Sequence, residues 1–190
     1  MHKNIIQHIR KHIDLSDSEA AILNQYVETL HFKKKEFILQ ESKVCKHLYY
    51  VEKGCLRMYF INKKGVEQIT QFALEGWWIS DYQSFINNTP SQYYIQAIEE
   101  SNIISIEKHN LDILLIELPR LERYFRRILQ KDVAGAQLRS KLMYKMSKEE
   151  FYFHFSTSFP HFMQRVPQYM IASYLGLTPE YLSELRKKYI

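Results

Sequence analysis

Residues 166 to 188, VPQYMIASYLGLTPEYLSELRKK, constrain the fold more than any other part of the chain. Their apolar spacing fits two short helices joined by a tight turn. Ala172 occupies the position where two closely crossing helices leave room for no more than a methyl group. Gly176 is expected to end the first helix, since glycine adopts a positive φ without steric cost. Thr178 is a good N-cap and Pro179 suits a first helical turn, so the pattern predicts a helix-turn-helix.

In DNA-binding forms of this motif, the second helix enters the major groove. An ordinary helical hairpin would show the same apolar spacing, but the small residue, the glycine turn, the Thr-Pro-Glu start and the basic end together favour a DNA reader. We expect the first turns of the second helix to face base edges, and its basic end and the first helix to meet phosphates. The predicted DNA-binding residues are Gln168, Tyr169, Thr178, Pro179, Glu180, Ser183, Glu184, Arg186 and Lys187.

Basic charge is concentrated in the last third of the chain. The whole chain carries 26 Lys and Arg against 21 Asp and Glu, a net charge of +5. From Arg120 onward there are 13 basic and 6 acidic residues, whereas residues 1–119 hold 13 basic and 15 acidic ones. A phosphate-binding surface requires such a concentration, so the charge supports the motif, although a solvated helical face can also be basic.

Length and composition bound the remaining possibilities. The 190 residues suffice for one large or two small domains, and an apolar content of 46% supports a packed core. No apolar run approaches the ~20 residues that span a bilayer. The charged N-terminus, MHKNIIQHIRKHIDL, is typical of a helix rather than of a signal peptide. We therefore expect a cytoplasmic protein with no membrane partner.

The apolar pattern of the rest of the chain changes twice, from helical to strand-like and back to helical. Residues 3–13 and 17–29 are predicted to be helices. Short Tyr-, Phe-, Ile- and Val-rich runs separated by turn residues then predict an antiparallel barrel or sandwich, with strands at 48–52, 55–61, 66–74, 93–98 and 102–107. Helical patterns follow at 111–117, capped by Asn110, from Pro119 to about 144, and at 148–158, capped by Ser147, with a loop between Pro160 and Pro167.

The long helix contains the unusual segment Ala134-Gly135-Ala136. Glycine costs about 1 kcal/mol relative to alanine inside a helix, so these small residues suggest that a second backbone approaches closely. The segment is interpreted as a dimer seam. Packing of the helix against the β domain is the alternative.

Taken together, these features resemble the Crp/Fnr family of bacterial transcription regulators. The resemblance rests on LYYVEKGCLRMYF (48–60), the Gly76 turn followed by aromatic residues, Pro119 at the start of the long helix, and residues 166–188. It implies an α+β fold: a cyclic-nucleotide-binding-like β-roll of jelly-roll type with flanking helices (1–117), a long dimerisation helix (118–145) and a helix-turn-helix domain (146–190). It also implies a homodimer on a palindromic operator, with half-sites about one helical turn apart, a spacing described for the family's founding member.

The ligand site that the resemblance implies is degenerate. In members that bind cyclic AMP, a glycine–glutamate pair and an arginine–serine pair hold the ribose and phosphate, and the long helix contacts the base. These positions correspond to Ser80 and Asp81, Ser91 and Gln92, and Ala136 and Gln137, with Trp78 as a further pocket residue or a packing residue of the roll. Because no arginine is available to bind the phosphate bidentately, we expect no cyclic AMP binding by these contacts.

Other functions are less consistent with the sequence. Two cysteines, Cys45 and Cys55, are too few for a zinc ribbon or an iron–sulfur cluster and are expected to be small buried residues. No HxH or HExxH motif supports a cupin-type metalloenzyme, so no catalytic residue, metal or cofactor is predicted. A sensor that acts through protein contacts without DNA is the alternative. The expected partners are double-stranded DNA and a second copy of the chain, with RNA polymerase and an unidentified small-molecule effector as further candidates.

Overall fold

The computed structural model describes residues 2–189, so Met1 and Ile190, the ends of the predicted outer domains, lie outside the described residues. The helices are α1 (Lys3–Arg10), α2 (Asp17–Tyr26), α3 (Tyr82–Asn87), α4 (Lys108–Glu117), α5 (Arg120–Lys145), α6 (Lys148–Ser158), α7 (Pro160–Arg165), α8 (Gln168–Leu175) and α9 (Pro179–Tyr189). The strands are β1 (Glu28–Phe32), β2 (Phe37–Leu39), β3 (His47–Lys53), β4 (Leu56–Ile61), β5 (Glu67–Ala73), β6 (Trp78–Ile79), β7 (Tyr94–Ala97) and β8 (Ser101–Glu107).

The strands form two four-stranded antiparallel sheets, in the orders β1-β8-β3-β6 and β2-β7-β4-β5. A core of aliphatic side chains, with Cys45 and Tyr49, lies between the sheets, and it includes Leu39, Val51, Leu56, Ile79, Ile95 and Ile103. The predicted antiparallel β-roll is therefore confirmed.

Helices cover the outer face of the first sheet. Strand β8 is apolar on both faces, because Ile103 points into the roll while Ile104 and Ile106 pack outward. Their outward partners come from α1, α2, α4 and the start of α5, and include Ile5, Ile9, Leu23, Leu114 and Leu121. This packing fixes the first half of α5 against the roll.

The solvent exposure of helix α5 changes halfway along its length. Leu121, Tyr124 and Ile128 are buried, whereas the second half is largely exposed. Leu129 is 40% exposed and Val133 is 57% exposed, although both are apolar. The chain therefore presents an apolar stripe on α5 that its own described residues do not cover.

Several boundaries differ from the sequence-based expectation. The first helix ends at Arg10, and the second ends at Tyr26 because the chain after it pairs as β1 with β8. Helix α4 begins at Lys108, directly after β8, so the prediction that Asn110 is its cap is wrong. A helix, α7, replaces the loop predicted between Pro160 and Pro167. The predicted cap at Ser147 is confirmed: its side chain accepts from the Glu150 N–H, and Glu150 reciprocates in a capping box.

Candidate nucleic-acid interface

Helices α8 and α9 form the predicted angled pair. Gly176 ends α8 with φ of 70°, a left-handed conformation that costs other residues about 1–2 kcal/mol. The N–H of Leu177 donates to the carbonyl of Ala172 over 2.8 Å, which closes the turn. Thr178 Oγ1 then accepts from the N–H of Tyr181 at 3.2 Å and caps α9. The turn and both helix ends therefore have local structural causes.

The inner side of the pair is apolar and closely packed. Ala172 and Ile171 are fully buried, and the stripe of α9 contributes Leu182 and Leu185. Leu177 in the turn is also buried in the same cluster. Because a side chain larger than alanine at position 172 would meet this packing, the angle between the helices is set by the size of that residue.

The outer side carries most of the predicted DNA-binding residues. With 3.6 residues per turn, the face of α9 opposite Leu182 and Leu185 presents Glu180, Ser183, Glu184 and Lys187. All four are exposed, and so are Thr178, Pro179 and Arg186. On α8, Tyr169 is 53% exposed.

Gln168 is placed differently from the rest of the predicted set. It is half-buried, and its Nε2 donates to the carbonyl of Met163 at 3.3 Å. Its Oε1 is buried without a hydrogen-bond partner among the described residues. The side chain is therefore held against α7 rather than extended from the outer surface.

Helix α8 is attached to the roll through the free edge of β5. Ser173 Oγ accepts from the N–H of Ile69 at 3.0 Å and donates to the carbonyl of Glu67 at 2.8 Å. It therefore satisfies backbone groups that an edge strand leaves unpaired. Sequence reasoning missed this contact, because a serine inside a helix gives no signal of a distant strand.

Two arginines strengthen the same attachment. Arg139 on α5 donates to the carbonyls of Thr70 and Tyr174, at 3.1 and 2.5 Å, and its guanidinium lies 4.0 Å from the centre of the Tyr174 ring. Arg165, at the end of α7, donates to both carboxylate oxygens of Glu75, at 2.8 and 2.6 Å, and to Glu99. These contacts fix the helix-turn-helix relative to the roll.

The hydrogen bonds between Arg165 and its acidic partners shift the pKa values of Arg165 and Glu75. The hydrogen bonds from Arg165 lower the pKa of Glu75 from 4.5 to about 2, with a smaller contribution from the N–H of Gly54. Hydrogen bonds to Glu75 and Glu99 likewise raise the pKa of Arg165 above its ordinary value. The guanidinium therefore stabilises the carboxylate of Glu75 in its charged form.

The predicted ligand residues are only partly brought together. Asp81 caps α3 by accepting from the N–H groups of Gln83 and Ser84, at 3.1 and 3.2 Å. Its second oxygen accepts from Ser91 Oγ at 2.7 Å. Ser80 Oγ donates to the carbonyl of His47 at 2.9 Å. These buried polar groups thus satisfy one another.

The other predicted ligand residues lie elsewhere. Trp78 packs outside the roll against Tyr50 and Phe125, and its indole N–H donates to Tyr124 Oη at 2.8 Å, as the packing alternative predicts. Gln92, Ala136 and Gln137 are exposed. The buried Cys45 and Cys55 behave as the expected small core residues.

The fold combines a β-roll, a long helix with an exposed apolar stripe and a C-terminal helix-turn-helix. This combination defines the class of transcription regulators that have a cyclic-nucleotide-binding-like domain. The family model for the cyclic nucleotide-binding domain matches residues 29–117. The chain is 30% identical over 185 residues to the fumarate and nitrate reduction regulatory protein of Vibrio cholerae, covering 90% of this chain and 72% of that one. It is also 30% identical over 185 residues to the regulatory protein HlyX of Actinobacillus pleuropneumoniae, covering 90% and 75%. The chain belongs to the Crp/Fnr family of transcription regulators.

Solved structures show the same fold at low sequence identity. The c-di-GMP responsive global regulator CLP of Xanthomonas campestris superposes with a TM-score of 0.72 at 12% identity, covering 91% of each chain. FixK2 of Bradyrhizobium japonicum gives a TM-score of 0.69 at 19% identity, covering 85% of this chain and 83% of that one. Within residues 2–189, no helix is both long and apolar enough to cross a membrane.

Proposed function

We propose that this protein is a homodimeric, sequence-specific DNA-binding transcription regulator that does not respond to cyclic AMP. The observation that carries the proposal is the exposed outer side of α9, held at a fixed angle by the buried Ala172 and the left-handed Gly176. Regulators of this family bind DNA as dimers, and their action on chromosomal DNA is the basis for proposing a cytoplasmic protein.

The exposed stripe of α5 supports dimerisation. Leu129, Val133, Ala136 and Met143 follow the 4-3-7 spacing of a helix seam, and all four are exposed. Apolar residues repeating in this way pack against a matching helix in a two-fold pair. Of the small-residue segment, Ala136 lies on this stripe, whereas Gly135 lies about 100° further around the helix, where an added Cβ would meet nothing within 4 Å among the described residues. The proposed seam is therefore formed by the stripe rather than by the glycine.

The side chain of Asp81 is already hydrogen-bonded to Ser91 and to the first N–H groups of α3, an arrangement that we call the closed Asp81 cassette. This cassette supports the proposed lack of a cyclic AMP response. Asp81 already supplies an anion to the first N–H groups of α3, and Ser91 already donates to it. A phosphate placed there would meet a carboxylate and no guanidinium. The partners that we propose are a palindromic duplex, a second copy of the chain and RNA polymerase. Any effector would use chemistry other than these contacts.

A gel shift with the protein's own upstream region, at two salt concentrations, tests the proposal. Arg186→Ala should weaken binding to all sequences and reduce the salt dependence, because it removes a phosphate contact. Glu180→Ala should relax specificity at one base position. Equal effects of both substitutions on every sequence would contradict these roles, and no binding at low salt would favour a sensor that acts through protein contacts.

A further inference from the structure

A cavity of about 310 Å³ lies between β2 and the start of β3. This volume is at the small end of the range for sites that bind small molecules. Of the described residues that form the closed Asp81 cassette, neither Asp81 nor Ser91 lines the cavity, so it differs from the ligand site that the family resemblance implies. Its lining combines apolar and basic side chains, which include Leu39, Val44, Tyr49, Lys43, Lys46 and His47.

The hydroxyl group of Tyr49 is a buried donor that has no partner. Tyr49 belongs to the core between the sheets and is 5% exposed, and its ring centre lies 5.9 Å from that of His47. Within residues 2–189, no group is hydrogen-bonded to this hydroxyl. Burial raises the pKa of Tyr49, so the hydroxyl remains protonated and can donate to a ligand at physiological pH.

A second unpaired hydroxyl lies next to Tyr49. Ser105 is directly opposite Tyr49 in the pairing of β8 with β3, and it faces the same inner side of the sheet as Ile103. It is 1% exposed, and its Oγ has no hydrogen-bond partner in the described part of the chain. Because buried hydroxyl groups are normally hydrogen-bonded, two adjacent unpaired ones are suited to an acceptor from outside the chain.

The charge at the cavity is basic. Lys43 and Lys46 lie in the loop before β3, and both are exposed. Among the described residues, neither forms an ion pair. Glu28 and Glu107 occupy neighbouring positions of the same sheet, opposite Ser105 and His47, but they do not line the cavity. The lining therefore attracts an anion.

Backbone contacts hold this loop in place. The N–H of Ser91 donates to the carbonyl of Lys43 at 2.9 Å, and the N–H of Cys45 donates to Ser84 Oγ at 2.8 Å. The cavity is therefore already formed, as is usual for small-molecule sites.

These features require a ligand that combines an anionic acceptor with an apolar body. We propose that the cavity binds a small organic monocarboxylate. Its carboxylate accepts a hydrogen bond from Tyr49 and is attracted by Lys43 and Lys46, because carboxylate oxygens only accept. Its apolar part packs against Leu39 and Val44.

An NMR titration of the 15N-labelled protein tests the proposal. The probes are benzoate and hexanoate, the neutral isostere benzamide, and inorganic phosphate. At least one carboxylate should shift the backbone N–H signals of Val44 and Tyr49 in a saturable manner, with millimolar or tighter affinity. Benzamide and phosphate should each bind at least about tenfold more weakly, because one lacks the charge and the other lacks the apolar body.

Tyr49→Phe removes only the hydroxyl, and it should weaken carboxylate binding about tenfold. Tyr144→Phe makes the same change on a side chain that is 91% exposed, and it should leave binding unchanged.

A second pair of variants separates the charges from folding effects. K43Q/K46Q removes two exposed lysines of the cavity and should also weaken binding about tenfold. K63Q/K64Q makes the same charge change in the exposed β4–β5 loop and should have no effect.

Three results would overturn the proposal. The first is the absence of saturable shifts at Val44 and Tyr49 with both carboxylates. The second is binding that K43Q/K46Q, or a folded Tyr49→Phe variant, leaves as tight as in the wild type. The third is phosphate binding as tight as that of the carboxylates, because it would show an anion site that makes no use of the apolar walls.

Discussion

Replacing Arg165 with methionine should measure how strongly the helix-turn-helix is held to the β-roll. Methionine keeps most of the apolar stem but removes the hydrogen bonds to Glu75 and Glu99. The lowered pKa of Glu75 corresponds to about 1 kcal/mol, once solvent screening of a carboxylate that is 42% exposed is taken into account. Loss of the bonds to Glu99, and the repulsion left between the two acids, should bring the total to about 1–2 kcal/mol.

Urea unfolding of the wild type and R165M at several pH values checks this value. The folded-state pKa of Glu75 lies below its unfolded value, so its contribution is present above about pH 4.5 and is lost as the pH falls towards 2. The difference between the two proteins should therefore be full at pH 7 and shrink below pH 4.5. R123M removes an exposed arginine of α5 and serves as the control, with little expected effect.

Two results would refute this reasoning. One is a free energy of unfolding that does not differ between the wild type and R165M at pH 7. The other is a difference that stays constant down to pH 3, because it would arise from lost packing rather than from the charges. An NMR titration of the Glu75 carboxyl in R165M gives an independent check. Its pKa should rise above the wild-type value, because the hydrogen bonds from Arg165 that lower it are gone.

Three further predictions follow from the same structure. Val133→Glu should convert the dimer to a monomer in analytical ultracentrifugation, because it places a charge on the exposed stripe; an unchanged dimer would exclude the stripe as the seam. Gly176→Val should destabilise the protein by at least about 1–2 kcal/mol in urea, because valine resists φ of 70°; an unchanged midpoint would show that the turn adapts. Isothermal titration should detect no cyclic AMP binding, and micromolar affinity would overturn the interpretation of the closed Asp81 cassette.

Residue patterns within short segments predicted the helix ends and strands that are stabilised by contacts within those same segments. Gly176, Thr178 and Ser147 each act through backbone groups within a few residues, so their roles could be predicted from the sequence. The longer strands could be predicted for the same reason, from their composition and the turns that bound them. Strands β1, β2 and β6 could not, because they are short and depend on partners far along the chain.

The attachment of the helix-turn-helix to the roll could not be predicted from residue patterns within short segments. Ser173 contacts a strand more than a hundred residues away in the chain, and Arg165 joins two separate turns of the roll. From its neighbours in sequence, Ser173 is an ordinary polar residue of a predicted helix, and Arg165 is an ordinary polar residue of a predicted loop. Which exposed arginine forms a structural contact, and which remains available for phosphate, is decided by tertiary packing.

The contacts of Asp81 show how a prediction made from the sequence can rest on an incomplete reason. The sequence indicates only that the arginine is missing, which suggests that an arginine placed at position 91 or 92 could restore phosphate binding. The structure adds that Asp81 already occupies the α3 N-terminus and accepts from Ser91. A new guanidinium would therefore pair with Asp81 and strengthen the closed cassette, since the carboxylate is nearby and permanently attached. Opening the cassette to an anion requires removing the charge of Asp81 first, and an added arginine would bind phosphate only after that change.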